Sequence, residues 1–271
     1  MPRPVLSVTT ERWQAGRARR DARLLAEEVP VALTYDGATH AVMMASPVDL
    51  EDFAVGFSLT EGVVTAAGEI SDLEIVPGRD GINLRMWLAS GPSDAFAARR
   101  RRYIGPAGCG MCGLESLAEA ARSVPRVAAQ WRTDAAGLIA AMAALEPAQD
   151  INSQTHAVHA AGFWQPGGAF LLREDVGRHN ALDKLAGALA RAGRTVEAGI
   201  VVLSSRLSVE LVQKAAMIGA PVLAAISAPT ALAVRTAEAA GITLVGIARG
   251  AEFEVFTHAA RVAAPARQHV A

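Results

Sequence analysis

Residues 199–227 carry the sequence GIVVLSSRLSVELVQKAAMIGAPVLAAIS, and its pattern decides the fold class. Two short apolar runs, Gly199 to Leu203 and Pro221 to Ile226, are typical of buried strands. Between them, Ser208 to Ile218 has the apolar spacing of a helix, with Ser208 at its N-cap. A strand, a helix and a strand in this order predict a parallel β-α-β unit with a right-handed crossover.

The same alternation extends on both sides of this unit. Before it, the pattern predicts a strand over Ala169 to Leu172 and a helix over Asn180 to Ala192 that ends at Gly193. After it come a helix over Thr230 to Ala240 closed by Gly241, a strand over Ile242 to Ala248 and an antiparallel return over Glu252 to Thr257. We therefore predict an α/β fold, a mixed sheet with flanking helices.

The first third of the chain has a different pattern, which predicts hairpins around one helix. Asp36-Gly37 is a strong two-residue hairpin signal between Val31 to Tyr35 and Thr39 to Met44. The further predicted elements are a helix over Pro47 to Thr60 closed by Gly62, and a second hairpin that joins Glu74 to Val76 with Ile82 to Leu88. We divide the chain into a poorly ordered extension (1–27), a smaller N-terminal β-rich subdomain (28–105), an α/β domain (106–260) and a tail (261–271).

Composition and charge exclude several classes of protein. With 271 residues, 51% hydrophobic and 20% charged, the chain has enough apolar residues for a full core, which excludes fibrous and wholly disordered classes. Its 26 basic and 27 acidic residues leave a net charge of −1, so no broad basic face suits nucleic acid, and any anion site is local. No signal peptide and no apolar run of membrane-spanning length is present. We expect a soluble cytoplasmic protein with neither nucleic acid nor membrane as a partner.

Polar residues follow each predicted parallel strand. Arg178 and His179 come after the first strand, and the later loops add Ser204, Arg206, Ser227 and Arg249-Gly250. Because ligands of such sheets bind at the loops that leave the carboxyl ends of strands, these residues are predicted to share one edge. Arginines, hydroxyls and helix N-termini suit phosphate or another anion. The alternative is that the serines are ordinary caps and the arginines are solvated.

The only two cysteines, Cys109 and Cys112, form a Cys-x-x-Cys motif with glycines at positions 108, 110 and 113. A run of four arginines, Arg99 to Arg102, lies upstream, and a helix is predicted from Leu114 to Ser123. Cations and a helix N-terminus both favour the thiolate over the thiol and lower the pKa of a cysteine. The motif therefore predicts a nucleophilic sulfur site; the alternative is two small buried residues without a chemical role.

Four chemical interpretations of the motif compete. A structural zinc site needs four ligands, and His156 with His159 would have to complete the set at a spacing shorter than usual. A thioredoxin-like redox site requires the motif between a strand and a helix, which the arginine run disfavours. Zinc deaminases also carry His-x-Glu upstream, and this sequence has no His-x-Glu, so deaminase catalysis is excluded. The fourth interpretation is a sulfur carrier that holds one sulfur atom as a persulfide.

Three motifs together resemble one known family. They are Cys109-Gly110-Met111-Cys112-Gly113, the long run Arg173-Glu174-Asp175-Val176-Gly177-Arg178-His179-Asn180-Ala181-Leu182-Asp183-Lys184, and Glu210-Leu211-Val212-Gln213-Lys214-Ala215-Ala216-Met217. They are similar to motifs of the formate dehydrogenase accessory sulfurtransferase family, FdhD, and the similarity runs from about Glu28 to His258.

The resemblance implies a function, a fold and partners. It implies a sulfurtransferase that takes persulfide sulfur from a cysteine desulfurase and delivers it to the molybdenum cofactor of formate dehydrogenase, a bis-molybdopterin guanine dinucleotide. It also implies a cytidine-deaminase-like fold and a homodimer. By position, the persulfide falls on Cys109, with Cys112 assisting, and the cofactor-binding segment falls on Ile247-Ala248-Arg249-Gly250-Ala251-Glu252. No resident metal is implied.

This chain departs from the family pattern at one place. Where the family commonly has Thr-Gly-Gly-x-His, the chain has Thr155-His156-Ala157-Val158-His159, so His159 is retained and two glycines are replaced. The backbone path of this loop is therefore a question for the structure. The alternative function is a non-catalytic chaperone that binds the guanine dinucleotide without covalent sulfur transfer.

Overall fold

The computed structural model describes residues 1–93 and 124–263. Cys109, Cys112, the arginine run and the helix predicted from Leu114 to Ser123 lie outside the described residues. The boundary predicted near residue 105 also lies there and stays a prediction.

Residues 1–27 correct the sequence-based expectation of poor order. Strands β1 (Val5–Gln14) and β2 (Arg17–Ala26) pair antiparallel over ten residues each, joined by a turn in which Ala15 and Gly16 have positive φ. The prediction was wrong because the strand character of these residues comes from their pairing with each other. In the hairpin these arginines point to water from strands that are almost entirely exposed.

The N-terminal unit is a four-stranded sheet covered on one face by a helix. Its strands are β3 (Val29–Tyr35), β4 (Ala38–Ala45), β5 (Ile70–Pro77) and β6 (Ile82–Leu88), in the order β4-β3-β6-β5, and helix α1 spans Leu50–Thr60. Asp36 and Gly37 both have positive φ, 48° and 80°, as a tight hairpin turn requires. The inward-facing strand residues pack on Phe53 and Phe57 of α1 and form a core of their own.

The second unit is a six-stranded mixed sheet in the order β13-β12-β11-β10-β8-β9. Its strands are β8 (His159–Trp164), β9 (Leu171–Asp175), β10 (Ile200–Leu203), β11 (Val222–Ala225), β12 (Thr243–Arg249) and β13 (Glu252–Val255). Its helices α2 (Ala135–Ala143) and α3 (Asp150–Thr155) precede β8, and α4 (Arg178–Arg191), α5 (Val209–Met217) and α6 (Ala231–Ala240) alternate with the later strands. Thr133–Asp134 (β7) and Val262–Ala263 (β14) form a short separate parallel pair.

The alternating elements predicted from residue 169 onward are present, although the first strand lies at Leu171–Asp175 instead of Ala169 to Leu172. The sheet also contains a strand that the sequence did not reveal. Strands β10, β11 and β12 are parallel, and β13 returns antiparallel as predicted. Strand β8 lies between β9 and β10 and is antiparallel to both. Its sequence, HAAGFW, has few β-branched residues, so its strand character comes from pairing with both neighbours.

Helices cover both faces of this sheet. Val201, Leu203 and Leu223 point towards one face and pack with buried residues of α4, α5 and α6. Ile200, Val202 and Val222 point towards the other face and pack with Leu138, Ala141 and Leu145, in and just after α2. Sheet residues that are apolar on both faces are typical of the centre of a layered α/β fold. None of the helices in the described ranges is long and apolar enough to cross a membrane.

The two units meet where helices α1 and α4 cross in direct backbone contact. A Cβ atom added at Gly56 would lie 1.7 Å from the carbonyl oxygen of Asp183, and one added at Gly187 would lie 1.9 Å from that of Asp52. Charged side chains surround the crossing: Arg173 and Arg191 both bind the Asp52 carboxylate, at 2.8 and 2.5 Å. The junction is therefore close-packed and holds the N-terminal sheet in a defined position on the α/β unit.

A second buried cluster ties α1 to α5 and α4. Lys214 Nζ donates to Glu61 at 2.6 Å and to the buried carboxylate of Asp183 at 2.9 Å, and Thr60 Oγ1 donates to the same carboxylate at 2.6 Å. Asp183 and Lys214 belong to motifs that carry the family resemblance, and here their partners lie in the N-terminal unit. Asp183 and Lys214 therefore lie at the junction between the two units.

Candidate functional site

The predicted polar loops meet at one edge of the six-stranded sheet. Strand β9 is antiparallel to β8, which is antiparallel to β10, so β9 runs in the same direction as β10, β11 and β12. The carboxyl ends of these four strands therefore lie on one side. His159, the first residue of β8, pairs with Asp175 at the end of β9 and reaches the same edge.

Helices α4, α5 and α6 all begin at this edge. Their N-caps are Gly177, Ser208 and Thr230, and Thr230 Oγ1 accepts a hydrogen bond from Ala233 N at 3.2 Å. The first backbone N–H groups of a helix have no intrahelical acceptor, and the helix dipole places partial positive charge there. Three such ends on one edge create an environment that favours an anion.

Arg178 and His179 stand at the start of α4 with unused hydrogen-bonding capacity. Arg178 Nε and His179 Nε2 are buried atoms without a hydrogen-bond partner among the described residues. Buried polar atoms are nearly always paired, so these two atoms favour a ligand at the start of α4. Arg178 Nε is a donor, and His179 Nε2 can donate to a phosphate oxygen in the tautomer that carries its proton there.

The electrostatics around His179 keep its imidazole neutral. Burial, followed by the cations of Arg178 and Lys214, lowers the pKa of His179 to about 4, although Glu210 lies 3.9 Å from its Nε2 atom. Burial and the Arg178 cation also lower the pKa of His159. At neutral pH the fixed positive charge at this part of the edge therefore comes from Arg178, while the two imidazoles supply neutral polar atoms.

The segment Ile247-Ala248-Arg249-Gly250-Ala251-Glu252 forms a bulged turn between β12 and β13. Ile247 and Gly250 both have positive φ, 52° and 58°, and the strand register shifts between Gly246 and Arg249. Ile247 N donates to Ser227 O at 3.3 Å, and Arg249 Nε donates to Ile226 O at 3.3 Å. The side chains of Ile247 and Arg249 are exposed, whereas that of Ala248 is buried in the core.

The remaining predicted residues divide into supporting and exposed ones. Ser204 Oγ accepts a hydrogen bond from Ala160 N at 2.7 Å, so this hydroxyl joins β10 to β8. Arg206 is exposed, and Ser227 is half-buried with its carbonyl engaged by Ile247. The structure thus places all the predicted binding residues on one edge, but it gives Ser204 and Ala248 structural contacts.

The loop that carries Arg178 and His179 is held from the N-terminal unit. Asp175 is completely buried; its Oδ1 accepts from Gly177 N at 2.7 Å, and its Oδ2 accepts from Ser46 N at 3.0 Å and from Lys184 Nζ at 2.6 Å. Ser46 Oγ in turn accepts from Val176 N at 3.1 Å. Both backbone N–H groups between Asp175 and Arg178 are thus fixed by side chains, which sets the position of the following residues.

We expect Ser46→Ala to weaken anion binding at this edge as well as the fold. The change leaves Val176 N without its acceptor, for a stability loss of about 1 kcal/mol, and frees the loop before Arg178. Titration calorimetry with guanosine diphosphate should show an affinity reduced roughly three- to tenfold.

Ser58→Ala is the matched control for this experiment. Ser58 is also a fully buried serine of the N-terminal unit, but its hydroxyl bonds Tyr35 and Ala54 instead of the site loop. We expect Ser58→Ala to lower the melting temperature without changing the affinity. Equal losses of affinity in the two variants would show that Ser46 acts only through general stability.

Sequence reasoning missed Ser46 and Glu210 as neighbours of the site and treated His159 only as a retained family residue. Ser46 lies 129 positions before Asp175, so no local signal connects them.

At position 156, where the family commonly has glycine, this chain has histidine, and the backbone keeps the left-handed conformation that glycine favours. His156 ends α3 with φ 54° and ψ 32°, in the left-handed region.

The chain is similar to proteins of one family along most of its length. The model of the FdhD/NarQ family matches residues 26–263. Sulfur carrier protein FdhD of Agrobacterium fabrum is 55% identical over 242 residues, which cover 89% of this chain and 89% of that protein. The protein of the same name from Cupriavidus necator is 49% identical over 254 residues, covering 93% of this chain and 88% of its own length.

A solved structure shares the fold. The crystal structure of a protein described as a formate dehydrogenase accessory protein, from Desulfotalea psychrophila, matches with a TM-score of 0.74 and 24% sequence identity. The match covers 96% of this chain and 99% of the other. The mixed α/β architecture described above is therefore one that an experimental structure also contains.

Proposed function

The chain belongs to the FdhD/NarQ family, and on that premise we propose that it is a sulfur carrier for formate dehydrogenase. It accepts persulfide sulfur from a cysteine desulfurase and transfers it to the molybdenum cofactor, a bis-molybdopterin guanine dinucleotide that it binds as cargo. Family membership and the 55% identity to a protein named sulfur carrier protein FdhD support this proposal.

The sulfur-accepting group in this proposal is the thiolate of Cys109. It attacks the outer sulfur of the desulfurase persulfide; the S–S bond of that persulfide breaks, a new S–S bond forms on Cys109, and the desulfurase cysteine leaves as a thiolate. No redox partner is needed, because the sulfur moves without a net change in oxidation state of the pair. Cys112 assists the later release or protection of the sulfur.

The observation that carries the cargo-binding part is a pair of buried atoms, Arg178 Nε and His179 Nε2, that have no hydrogen-bond partner within residues 1–93 and 124–263 and lie at an edge where three helices begin. A pyrophosphate supplies the acceptor oxygens that such donors lack. Arg206 and Arg249 are exposed on the neighbouring loops and add charge at the same edge. The bulged turn at Ile247 and Gly250 brings its backbone to this side.

Binding of guanosine diphosphate tests this site. We expect calorimetry to detect binding to the unmodified protein and Arg249→Ala to weaken it roughly ten- to a hundredfold, the effect of losing a charged hydrogen bond. Arg79→Ala is the matched control, because Arg79 is an exposed arginine in the turn between β5 and β6 of the N-terminal unit. No heat with the unmodified protein, or unchanged affinity in Arg249→Ala, would contradict the proposed site.

The proposal has further parts. We propose that the protein acts in the cytoplasm as a homodimer, with the cysteine desulfurase and formate dehydrogenase as its partners. We also propose that the six-stranded sheet with helices on both faces is of the cytidine-deaminase-like kind. The order of three parallel strands bordered by antiparallel ones is compatible with that kind of fold.

A further inference from the structure

Helices α4 and α5 face each other through two successive pairs of polar side chains. At the sheet edge, Glu210 Oε2 of α5 lies 3.9 Å from His179 Nε2 of α4. Four residues further along each helix, Lys214 Nζ of α5 binds the Asp183 carboxylate of α4 at 2.9 Å. Because four residues advance a helix by about 6 Å, the pair of Asp183 and Lys214 lies one helical turn inside the edge that carries the candidate binding residues.

Lys214 is a buried cation held by groups from two other helices. Its side chain is 7% exposed, and that of Asp183 is 1% exposed. Besides Asp183, Lys214 Nζ donates to Glu61 Oε1 at 2.6 Å and to Thr60 Oγ1 at 3.1 Å, both at the end of α1. Burial alone would lower the pKa of Lys214, but the carboxylates of Asp183 and Glu61 outweigh burial and raise this pKa above its ordinary value. The ammonium group is therefore charged at neutral pH.

Stability alone is a weak reason for a charged cluster at this position. Taking charges out of water is costly, and apolar residues of similar volume often stabilise a fold at least as well as a buried ion pair does. What distinguishes this cluster is its place directly behind His179, whose Nε2 atom lacks a hydrogen-bond partner within the described part of the chain.

The charged groups that face His179 come from three helices. They are Arg178 and Asp183 of α4, Glu210 and Lys214 of α5, and Glu61 at the end of α1. Burial, followed by the cations of Arg178 and Lys214, lowers the pKa of His179. The carboxylates of Glu210 and Glu61 act in the opposite direction. Without the Lys214 cation, these carboxylates would therefore favour a protonated imidazole.

We propose that Lys214 is a positioning residue for the cargo site, where it keeps His179 an uncharged hydrogen-bonding group from one helical turn inside the edge. This rests on the proposed binding of a phosphate-bearing cargo at that edge. A neutral imidazole offers the phosphate a single N–H, whose direction is set by the ring. The charge at the start of α4 is then that of Arg178, and it stays constant between about pH 5 and 8. The N-terminal unit contributes to this state through Glu61, which helps to hold the Lys214 ammonium in place.

An NMR titration of the full chain with labelled histidine tests the effect of Lys214 on His179. The signal that disappears in His179→Gln identifies this imidazole among the six histidines. Lys214→Met replaces the ammonium group with an uncharged side chain of similar length. We expect the pKa of His179 to rise from about 4 by at least about one unit, the lower end of what a neighbouring charge does.

A second variant and a matched control separate the charge of Lys214 from its packing. Lys214→Met alone leaves the Asp183 carboxylate buried without its cation, which weakens the fold, so Asp183→Asn/Lys214→Met removes both charges. The pKa of His179 should rise in this variant too, since Glu61 and Glu210 remain. Lys214→Arg keeps the charge, and we expect it to leave the pKa of His179 within about 0.5 unit of that of the unmodified protein. An equally small change in the folded variants that lack the cation would overturn the proposal.

Calorimetry with guanosine diphosphate measures the consequence at the site. Protonation of the diphosphate itself changes affinity with pH, so the quantity compared is the association constant of each variant divided by that of the unmodified protein. We expect this ratio to rise about three- to tenfold between about pH 8 and pH 5 in the variants that lack the cation, because an imidazolium adds a charged hydrogen bond to the phosphate. In Lys214→Arg the ratio should stay constant.

The two measurements fail in different ways. A ratio that stays constant in every variant would overturn the role of Lys214 at the site. No binding of guanosine diphosphate by the unmodified protein would overturn the proposed cargo site, and with it the positioning role that rests on that site. The titration of His179 needs no ligand, so it still decides whether Lys214 controls the charge of the imidazole.

Discussion

Protein incubated with a cysteine desulfurase and cysteine is expected to gain about 32 Da, the mass of one sulfur atom, and Cys109→Ala is expected to gain nothing. The reason lies in the sequence around the motif. The neighbours of the cysteines at 108, 110 and 113 are glycines, which have no side chains, and we expect the cations of Arg99 to Arg102 to favour the thiolate that attacks the persulfide. Intact-protein mass spectrometry measures the gain directly.

Cys112→Ala is the matched control, since it removes the other thiol of the same motif. It should keep the added sulfur, and dithiothreitol should remove that sulfur from both the control and the unmodified protein, as expected for a persulfide. An adduct that survives in Cys109→Ala would contradict the assignment. If a Cys109→Ser/Cys112→Ser protein restored formate dehydrogenase activity in cells lacking this chain, the chaperone function would replace the sulfur-carrier function.

Gly187→Ala is expected to lower the free energy of unfolding by about 3 kcal/mol or more, although alanine is the better helix former. Alanine in place of glycine inside a helix contributes up to about 1 kcal/mol of stability. At Gly187, however, the new Cβ would lie 1.9 Å from the carbonyl oxygen of Asp52 and 2.8 Å from Gly56 N. These are backbone atoms that no rotamer change can move, so α1 and α4 must separate.

Denaturant unfolding followed by circular dichroism measures this loss. Gly68→Ala is the control, because a Cβ at Gly68 meets nothing within 4 Å. We expect that variant to unfold with the unmodified protein to within about 0.5 kcal/mol, as for surface changes in general. If Gly187→Ala proved as stable as this control, the backbone contact between the helices would not exist as described.

Local patterns in the sequence predicted the elements whose signals are local. The Asp36-Gly37 hairpin needs two consecutive residues with positive φ, and the chain supplies them. The β-α-β unit of residues 199–227 was predicted because apolar runs of strand and helix length alternate there. The edge at which Arg178, Arg206 and Arg249 meet followed from the same alternation, because parallel strands end on the same side.

Elements defined by pairing were missed for the opposite reason. Strand β8 holds two alanines and a glycine among its six residues and is a strand because β9 and β10 pair with it. Residues 5–26 were predicted to belong to a poorly ordered extension, but they form a hairpin. Only the register shows that four of these arginines lie on one side of the hairpin and that Arg20 lies on the other.

The sequence by itself determined the family, the α/β class, the cysteine pair and the sheet edge that carries the candidate binding residues, since motifs and strand-helix alternation are properties of neighbouring residues. The tertiary structure decided what the charged residues of the family motifs do. Asp175, Lys184, Asp183 and Lys214 stand in those motifs, and each bonds a residue of the N-terminal unit, which is Ser46, Thr60 or Glu61. A buried charge pairs with the polar group that lies beside it in the folded protein. These partners are 120 or more positions apart in the sequence, so they come into contact only once both units have packed.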